Sequence, residues 1–496
     1  MKHVKARLLF ASLAACVLLL ASCDNGTQPS QTTLATTTAA PTETTVDPAN
    51  RLDIPLTADY GGDTFNILSA GNVAYADFDY DEESSLALDN AQYKRKLKVE
   101  EDYKIQIEEY ATKAYSSGNG PGFKQLSTDA NAGECNYDVA LIAGYDVSVL
   151  AYNGYLYDLN SIDSIDLSKS WWDQQANASL KINDVMFFTA GDFSIAENDA
   201  AVVIMFNKTL LSDYHLESPY DMVYNDEWTL ENFAKLCKTV TEDLDNNDVM
   251  DENDRYGLLV WVDSNLGMVH ASGQRCATVN SNGEIELTLY NETTVNVVEK
   301  YLSFALDKQY ALQYQAIHNS TSFEQELWGG NHGLFWTTYM ASVSRFREMD
   351  SDFGLLPFPK YDSAQNGYYS TVTPYFSQFV CVPLIQDDVE RTGVITEALT
   401  YYGQQMVMPA YYDLNLKGIH SRDEESSEML DIIFDNLVYD IGFLYQVGPY
   451  NKYLNYMVSR GETNFTSMYN SLLTVAESQL SQINTNYQKA VAEWTK

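Results

Sequence analysis

Between residues 64 and 143 the hydrophobic period switches back and forth, and that alternation limits the chain to few architectures. Three short segments, residues 64–69, the alternating 104–109 and 137–143, read as strands, with helical spacing over 86–103 and 122–132 between them. Strand, helix, strand, helix, strand implies a parallel sheet with helices packed against it, because parallel neighbours need a crossover and the helix supplies it. The third run is apolar almost throughout, as expected of a strand covered on both faces. A helix from about Val147 stops at Gly154, which can take the left-handed C-terminal conformation. The polar, turn-rich stretch 158–169 then marks a change to a second sheet.

The second region repeats the pattern. Residues 185–190, 200–206, 256–262 and 332–336 read as strands, while 229–240 and 294–308 carry helical spacing. Near the C-terminus Leu472, Ala476, Leu480, Ile483, Tyr487, Val491 and Trp494 recur every three or four residues, one helical face packed on a core. About 445 residues follow Arg51, enough for two or three domains by length.

The first residues speak to compartment. Lys2, Lys5 and Arg7 precede the apolar run 8–20, which is too short to span a bilayer and suits the core of a cleaved signal peptide, residues 1–22. Leu20-Ala21-Ser22-Cys23 resembles a bacterial lipobox, which implies a diacylglycerol on Cys23 and a mature protein anchored to the cell membrane on its extracellular face. The Thr-, Ser- and Pro-rich tract that follows cannot bury enough surface to offset its ordering entropy, so 23–57 is expected to be a disordered stalk.

A net charge of −39 makes nucleic acid and anionic lipid poor partners, and its plainest reading is solubility. The 36 Tyr, 20 Phe and 7 Trp exceed what a core needs, and many stand beside polar residues. Cys135, Cys237, Cys276 and Cys381 lie tens of residues apart, without the spacing of a zinc or redox motif; disulfides and isolated thiols both remain open.

The body resembles the family 1 extracellular solute-binding proteins of ABC importers, the group containing the maltose-binding type, in its Gram-positive lipoprotein branch. The resemblance rests on Tyr137-Asp-Val-Ala-Leu-Ile-Ala with Leu150-Ala-Tyr-Asn-Gly-Tyr-Leu-Tyr-Asp-Leu, on Ile204-Met-Phe-Asn-Lys, on Trp228-Thr-Leu-Glu-Asn-Phe and on Asp352-Phe-Gly-Leu-Leu-Pro-Phe-Pro-Lys. Pro409-Ala-Tyr-Tyr-Asp through Ser421-Arg-Asp-Glu-Glu-Ser adds to it. It implies an α/β fold of two lobes, joined by a hinge that the chain crosses several times, with a ligand held in the cleft. The first lobe is expected at 58–160 and 356–405, the second at 161–355 and 406–496. The protein would be a monomer that captures a polar solute, foremost a carbohydrate or oligosaccharide, and delivers it to the permease subunits.

A pyranose presents apolar C–H faces and an equator of hydroxyls, so it calls for aromatic plates with carboxylates and amides beside them. Candidates lie just after strands that point at the cleft. They are Tyr145 and Asp146 after 137–143, Asp192 after 185–190, Asp263 and Asn265 after 256–262, and Trp336 or Tyr339 on 332–336 and beyond. The family's usual Trp and Asp at the first of these strand ends fall on Ile142 and Tyr145. Trp171 and Trp172 suit either a cleft wall or a structural crossover.

One further motif is separate. Asp243, Asp245, Asn247, Asp251 and Asp254 occupy positions 1, 3, 5, 9 and 12 of a twelve-residue loop, with the Val249 carbonyl at 7, which is the donor pattern of an EF-hand calcium loop. Asp248 stands where Gly usually makes the sharp turn, and Asp254 where a bidentate Glu is usual; the expectation is a structural Ca²⁺. Two other function classes compete. A glycan hydrolase needs two carboxylates across a cleft, but G-x-S-x-G, H-E-x-x-H and a phosphate-cradling Gly loop are all missing from the sequence. A surface adhesin would use the stalk equally well but has no need of a hinge.

Overall fold

In the computed structural model β1 (Thr64–Gly71) lies at the centre of the first sheet, its residues buried from Ile67 onward. The described residues run from 47 to 494, leaving out 73–76, 81–82, 114–116, 347–348, 350 and 419–423. The signal segment, Cys23 and the tract up to residue 46 lie outside them. Helix α1 (Ala87–Tyr103) follows and ends as Lys104 turns left-handed at φ 51°. It returns the chain to β2 (Gln106–Lys113), parallel to β1 with Thr64 opposite Gln106. Helix α2 (Pro121–Ala132) starts on a proline and closes on Gly133 at φ 72°, where the missing Cβ removes the steric cost. It leads to β3 (Val139–Ala143), fully buried and parallel to β1 on the other side. Helix α3 (Gly144–Tyr152) begins at the very end of β3.

The chain then builds a second sheet. β4 (Val202–Asn207) pairs antiparallel with strands Gly333–Tyr339 and Phe353–Leu356; Gly333–Tyr339 pairs parallel with Arg255–Leu259, which also takes Ala311–Leu312 alongside. Strand Gln378–Cys381 returns to the first sheet, antiparallel to β3. Later the helix Glu424–Phe434 packs on Phe353–Leu356, and Tyr450–Arg460 on Ser264–Ala271, so the chain visits the second sheet again. These are the two α/β lobes and repeated crossings of the hinged fold that the sequence implied. The last helix, Phe465–Trp494, buries Leu472, Ala476, Ile483, Tyr487 and Val491, the stripe legible in the sequence.

Residues 185–190 do not form the expected strand. Asn183 and Asp184 both take positive φ (52° and 63°), and after this tight turn the run is buried but makes only isolated pairings, Val185 with Ile182 and Thr189 with Val380. An apolar run records burial, and here the run is buried while meeting the first sheet only at Thr189, which exchanges hydrogen bonds with Val380.

The stalk was expected to reach residue 57, but residues 47–57 lie on the body. Lys169 Nζ, almost fully enclosed, donates to the Pro48 carbonyl (2.9 Å) and to Asp53 Oδ2 (2.5 Å), and the Tyr103 hydroxyl donates to the Pro55 carbonyl (2.7 Å). A buried ammonium needs those acceptors, which composition could not reveal. All four body cysteines are free thiols.

Candidate functional site

The parallel strands of both sheets end on one cavity of 810 Å³. In the first sheet Asn72 follows β1, Ser117 lies beyond β2 and Tyr145 follows β3; in the second Trp261 and Asp263 follow Arg255–Leu259, Gln315 follows Ala311–Leu312, and Tyr339 ends its strand. Carboxyl ends of parallel strands are where α/β folds bind ligands, because there the loops are free of sheet pairing. The segment 373–376 and the helix Tyr450–Arg460 complete the wall.

Its lining is aromatic and polar together. Tyr339 stacks on Phe376 at 4.3 Å between ring centroids and 19° between planes, and Trp261 leans on Tyr339 at 5.5 Å. Tyr375 meets Phe376 edge-on at 5.0 Å. The Asn451 amide donates to the Tyr145 hydroxyl (2.8 Å), tying α3 to the late helix across the cavity. Arg345 Nη1 donates to Glu324 Oε2 (2.7 Å), so these two wall charges offset each other. Burial pushes the Asp263 carboxyl up to about 6, against a hydrogen bond from Asn455 that holds it down. Near neutrality this group accepts hydrogen bonds, and in mild acid it donates one.

The structure brings Tyr145, Asp263 and Tyr339 into this wall and places the other sequence candidates elsewhere. Asp146 is buried, and its Oδ1 accepts from the Gly118 and Gly120 amides (2.9 and 3.0 Å), which fixes the loop carrying Ser117. Asn265 is buried and donates to the Leu454 carbonyl (3.3 Å), holding two helices together behind the wall. Trp336 is a core residue, enclosed by Trp328, Phe346 and Tyr314, and takes no part in the cleft wall. Asp192 lies in a second cavity, with Trp171 and Trp172. Trp261, Tyr375, Phe376, Asn451, Asn455 and Tyr456 went unlisted in the sequence reading. Trp261 alone had a signal there, since it stands in the same strand-end run as Asp263.

The acidic loop brings three of its six expected donor residues together. Asp243, Asp245 and Asp254 bring carboxylate oxygens within 4.8 Å of one another. Asp248 sits at φ 62°, so the turn usually given to Gly is made by a residue that tolerates it. Asp254 is fully buried; its two oxygens accept from the Leu244 and Asp251 amides (2.9 and 2.8 Å), closing the loop on itself. The residues present are those that would hold a hard cation.

No described helix is long and apolar enough to cross a membrane. Solved structures with this fold include an ABC substrate-binding protein from Listeria monocytogenes in complex with cycloalternan (TM-score 0.54, 14% identity, 87% of this chain and 99% of that one). A maltose-binding periplasmic protein from the same organism, in complex with maltose, matches at TM-score 0.51 and 14% identity, over 86% and 98% of the two chains. The cyclic alpha-maltosyl-1,6-maltose binding protein of Arthrobacter globiformis matches at 0.52 and 12%, over 87% and 99%. A search of the curated proteins finds no match. Residues 85–371 match the model of the bacterial extracellular solute-binding proteins, and with both sheets and the cleft between their strand ends accounted for, the chain belongs to that family.

Proposed function

We propose that the protein captures a carbohydrate, foremost an oligosaccharide, in this cleft and passes it to an ABC permease, held at the outer face of the membrane by a lipid on Cys23. The supporting observation is the composition of the wall: Tyr145, Trp261, Tyr339, Phe376 and Tyr456 beside Asp263, Asn451 and Asn455. Rings match the C–H faces of a pyranose, while amides and carboxylates match its hydroxyls. A cavity of 810 Å³ suits more than one sugar ring. Ligands printed for the similar structures, cycloalternan and maltose, are of the same class. Closure of the lobes over the sugar would present the permease with a changed surface.

A thermal-shift screen against mono- and oligosaccharides, peptides and amino acids tests this. A sugar at about 100 times its dissociation constant adds about 2.7 kcal/mol and a clear rise in melting temperature. The sugar should be recovered intact; hydrolysis would instead identify an enzyme, and a response confined to peptides or amino acids would overturn the choice of cargo.

We further propose that the loop 243–254 binds Ca²⁺ through Asp243, Asp245, Asn247, Asp251 and Asp254 with the Val249 carbonyl, as a brace on the strand Arg255–Leu259. Three of its carboxylates already converge.

A further inference from the structure

The second cavity, 460 Å³, has a wall unlike the first. Asp173, Asp192, Glu197 and Asp435 line it, and among the described residues no Lys, Arg or His does. Asp173 is committed to structure: Oδ1 accepts from the Ala176 amide and Oδ2 from the Tyr439 hydroxyl, both at 2.8 Å. Asp192 is met by the Gln404 amide. Glu197 is 4% exposed; among the described residues its carboxyl is met by no donor except its own backbone N–H, and its electrostatic neighbours are the carboxylates of Asp192, Asp173 and Asp77. Arg95 faces Asp192 from behind the wall, but it donates to the Phe193 and Asp77 carbonyls (2.7 and 3.2 Å). A buried carboxylate without donors is costly, and one that faces a cavity is where a ligand donor fits.

Four aromatic residues, Trp171, Trp172, Tyr412 and Phe434, share the wall with neutral polar side chains such as Gln174 and Asn198. Trp171 and Trp172 both give their indole N–H to Glu397 (3.0 and 2.9 Å), which fixes the rings, and Tyr412 meets Phe434 edge-on at 5.4 Å. The stretch Gly403–Val407, which carries Gln404, is a π-helical turn, and a Cβ on Gly403 would come within 1.7 Å of the Asp192 carbonyl oxygen, so only glycine lets this turn close on the cavity.

We propose that this cavity is a second ligand site, for a small organic ammonium, which Glu197 and Asp192 accept as hydrogen-bond partners while the aromatic rings face its charge and its carbon skeleton. Carboxylates beside aromatic faces are the chemistry of ammonium recognition. A bare metal ion fits less well, because among the described residues only Asp243, Asp245 and Asp254 bring three such groups within 4.8 Å of one another. Burial pushes Asp192 up to about 8 and Glu197 well above the carboxylate range, and a bound cation would draw both back toward the ionised form.

The test is titration calorimetry of the whole secreted protein near pH 8 with benzylamine and 1,4-diaminobutane, against the neutral benzyl alcohol and 1,4-butanediol. An amine should bind at one site per chain and its neutral counterpart should not. Glu197→Gln and Asp192→Asn, each nearly isosteric, should weaken the amine about tenfold or more while leaving sugar affinity unchanged. The proposal is overturned if neither amine binds, if amine and alcohol bind alike, or if whichever of the two variants folds binds the amine as the wild type does.

Discussion

Trp261 and Trp336 are both nearly enclosed, at 4% and 1% exposure, yet they do different things. Trp261 lies just beyond a strand end at the cleft and leans on Tyr339; Trp336 lies mid-strand among Trp328, Phe346 and Tyr314. Trp261→Leu should therefore raise the dissociation constant for the sugar about tenfold or more, which calorimetry reads directly. Trp336→Phe should leave that constant alone and cost about 1–3 kcal/mol of stability in urea denaturation, by opening space in a packed core. The reverse pattern would place the site on the wrong ring. Residue-level legibility divides at the same point. Tyr145, Asp263 and Tyr339 reach the cavity wall because they follow strand ends, which are visible as breaks in an apolar run. Trp336 was misplaced because alternation gives two faces without saying which one meets the cleft, and Asp192 because residues 185–190 are no strand and lead to the other cavity.

At the scale of elements, the alternating period in residues 64–143 carries the three parallel strands of the first sheet, β1 to β3. Strand Gln378–Cys381 shows where such reading ends: it joins β3 by a pairing that no local pattern announces, since sequence neighbours say little about partners so far apart. The acidic loop is the element with the most specific expectation. The Tyr256 hydroxyl donates to the Asp251 carbonyl (2.9 Å), so the loop is tied to its strand, and ordering it should be felt globally. Calcium should raise the melting temperature by several degrees, and Asp245→Ala should abolish that rise while leaving the metal-free melting temperature within about a degree. Absence of both heat and thermal shift on calcium titration would remove the ion from the structure.

For the whole molecule the charge balance sets the pH response. Burial raises Asp263 to about 6, Glu109 to about 7, and Asp192 and Glu397 to about 8. Each holds a proton in the fold that the unfolded chain has already released, so stability falls as pH climbs from about 4 through about 8. Mutual repulsion within a net charge of −39 acts in the same direction. Asp440 opposes them: hydrogen bonds from the Cys276 and Gly442 amides and His270 beside it lower its carboxyl, a contribution lost in strong acid. The melting temperature should accordingly peak near about pH 4 and be lower by several degrees at pH 8, and Asp192→Asn should flatten that fall; a maximum at pH 8 would refute the assignment.

Two lobes and a cleft between strand ends make sense only if something is held there. Isothermal titration of the wild type and of Trp261→Leu with linear and cyclic oligosaccharides decides this. One sugar per chain, bound by the wild type and weakened about tenfold or more in the variant, is the expected result. Binding that is indifferent to Trp261, or no heat from any sugar while a peptide or amino acid binds, would contradict carbohydrate capture in this cleft.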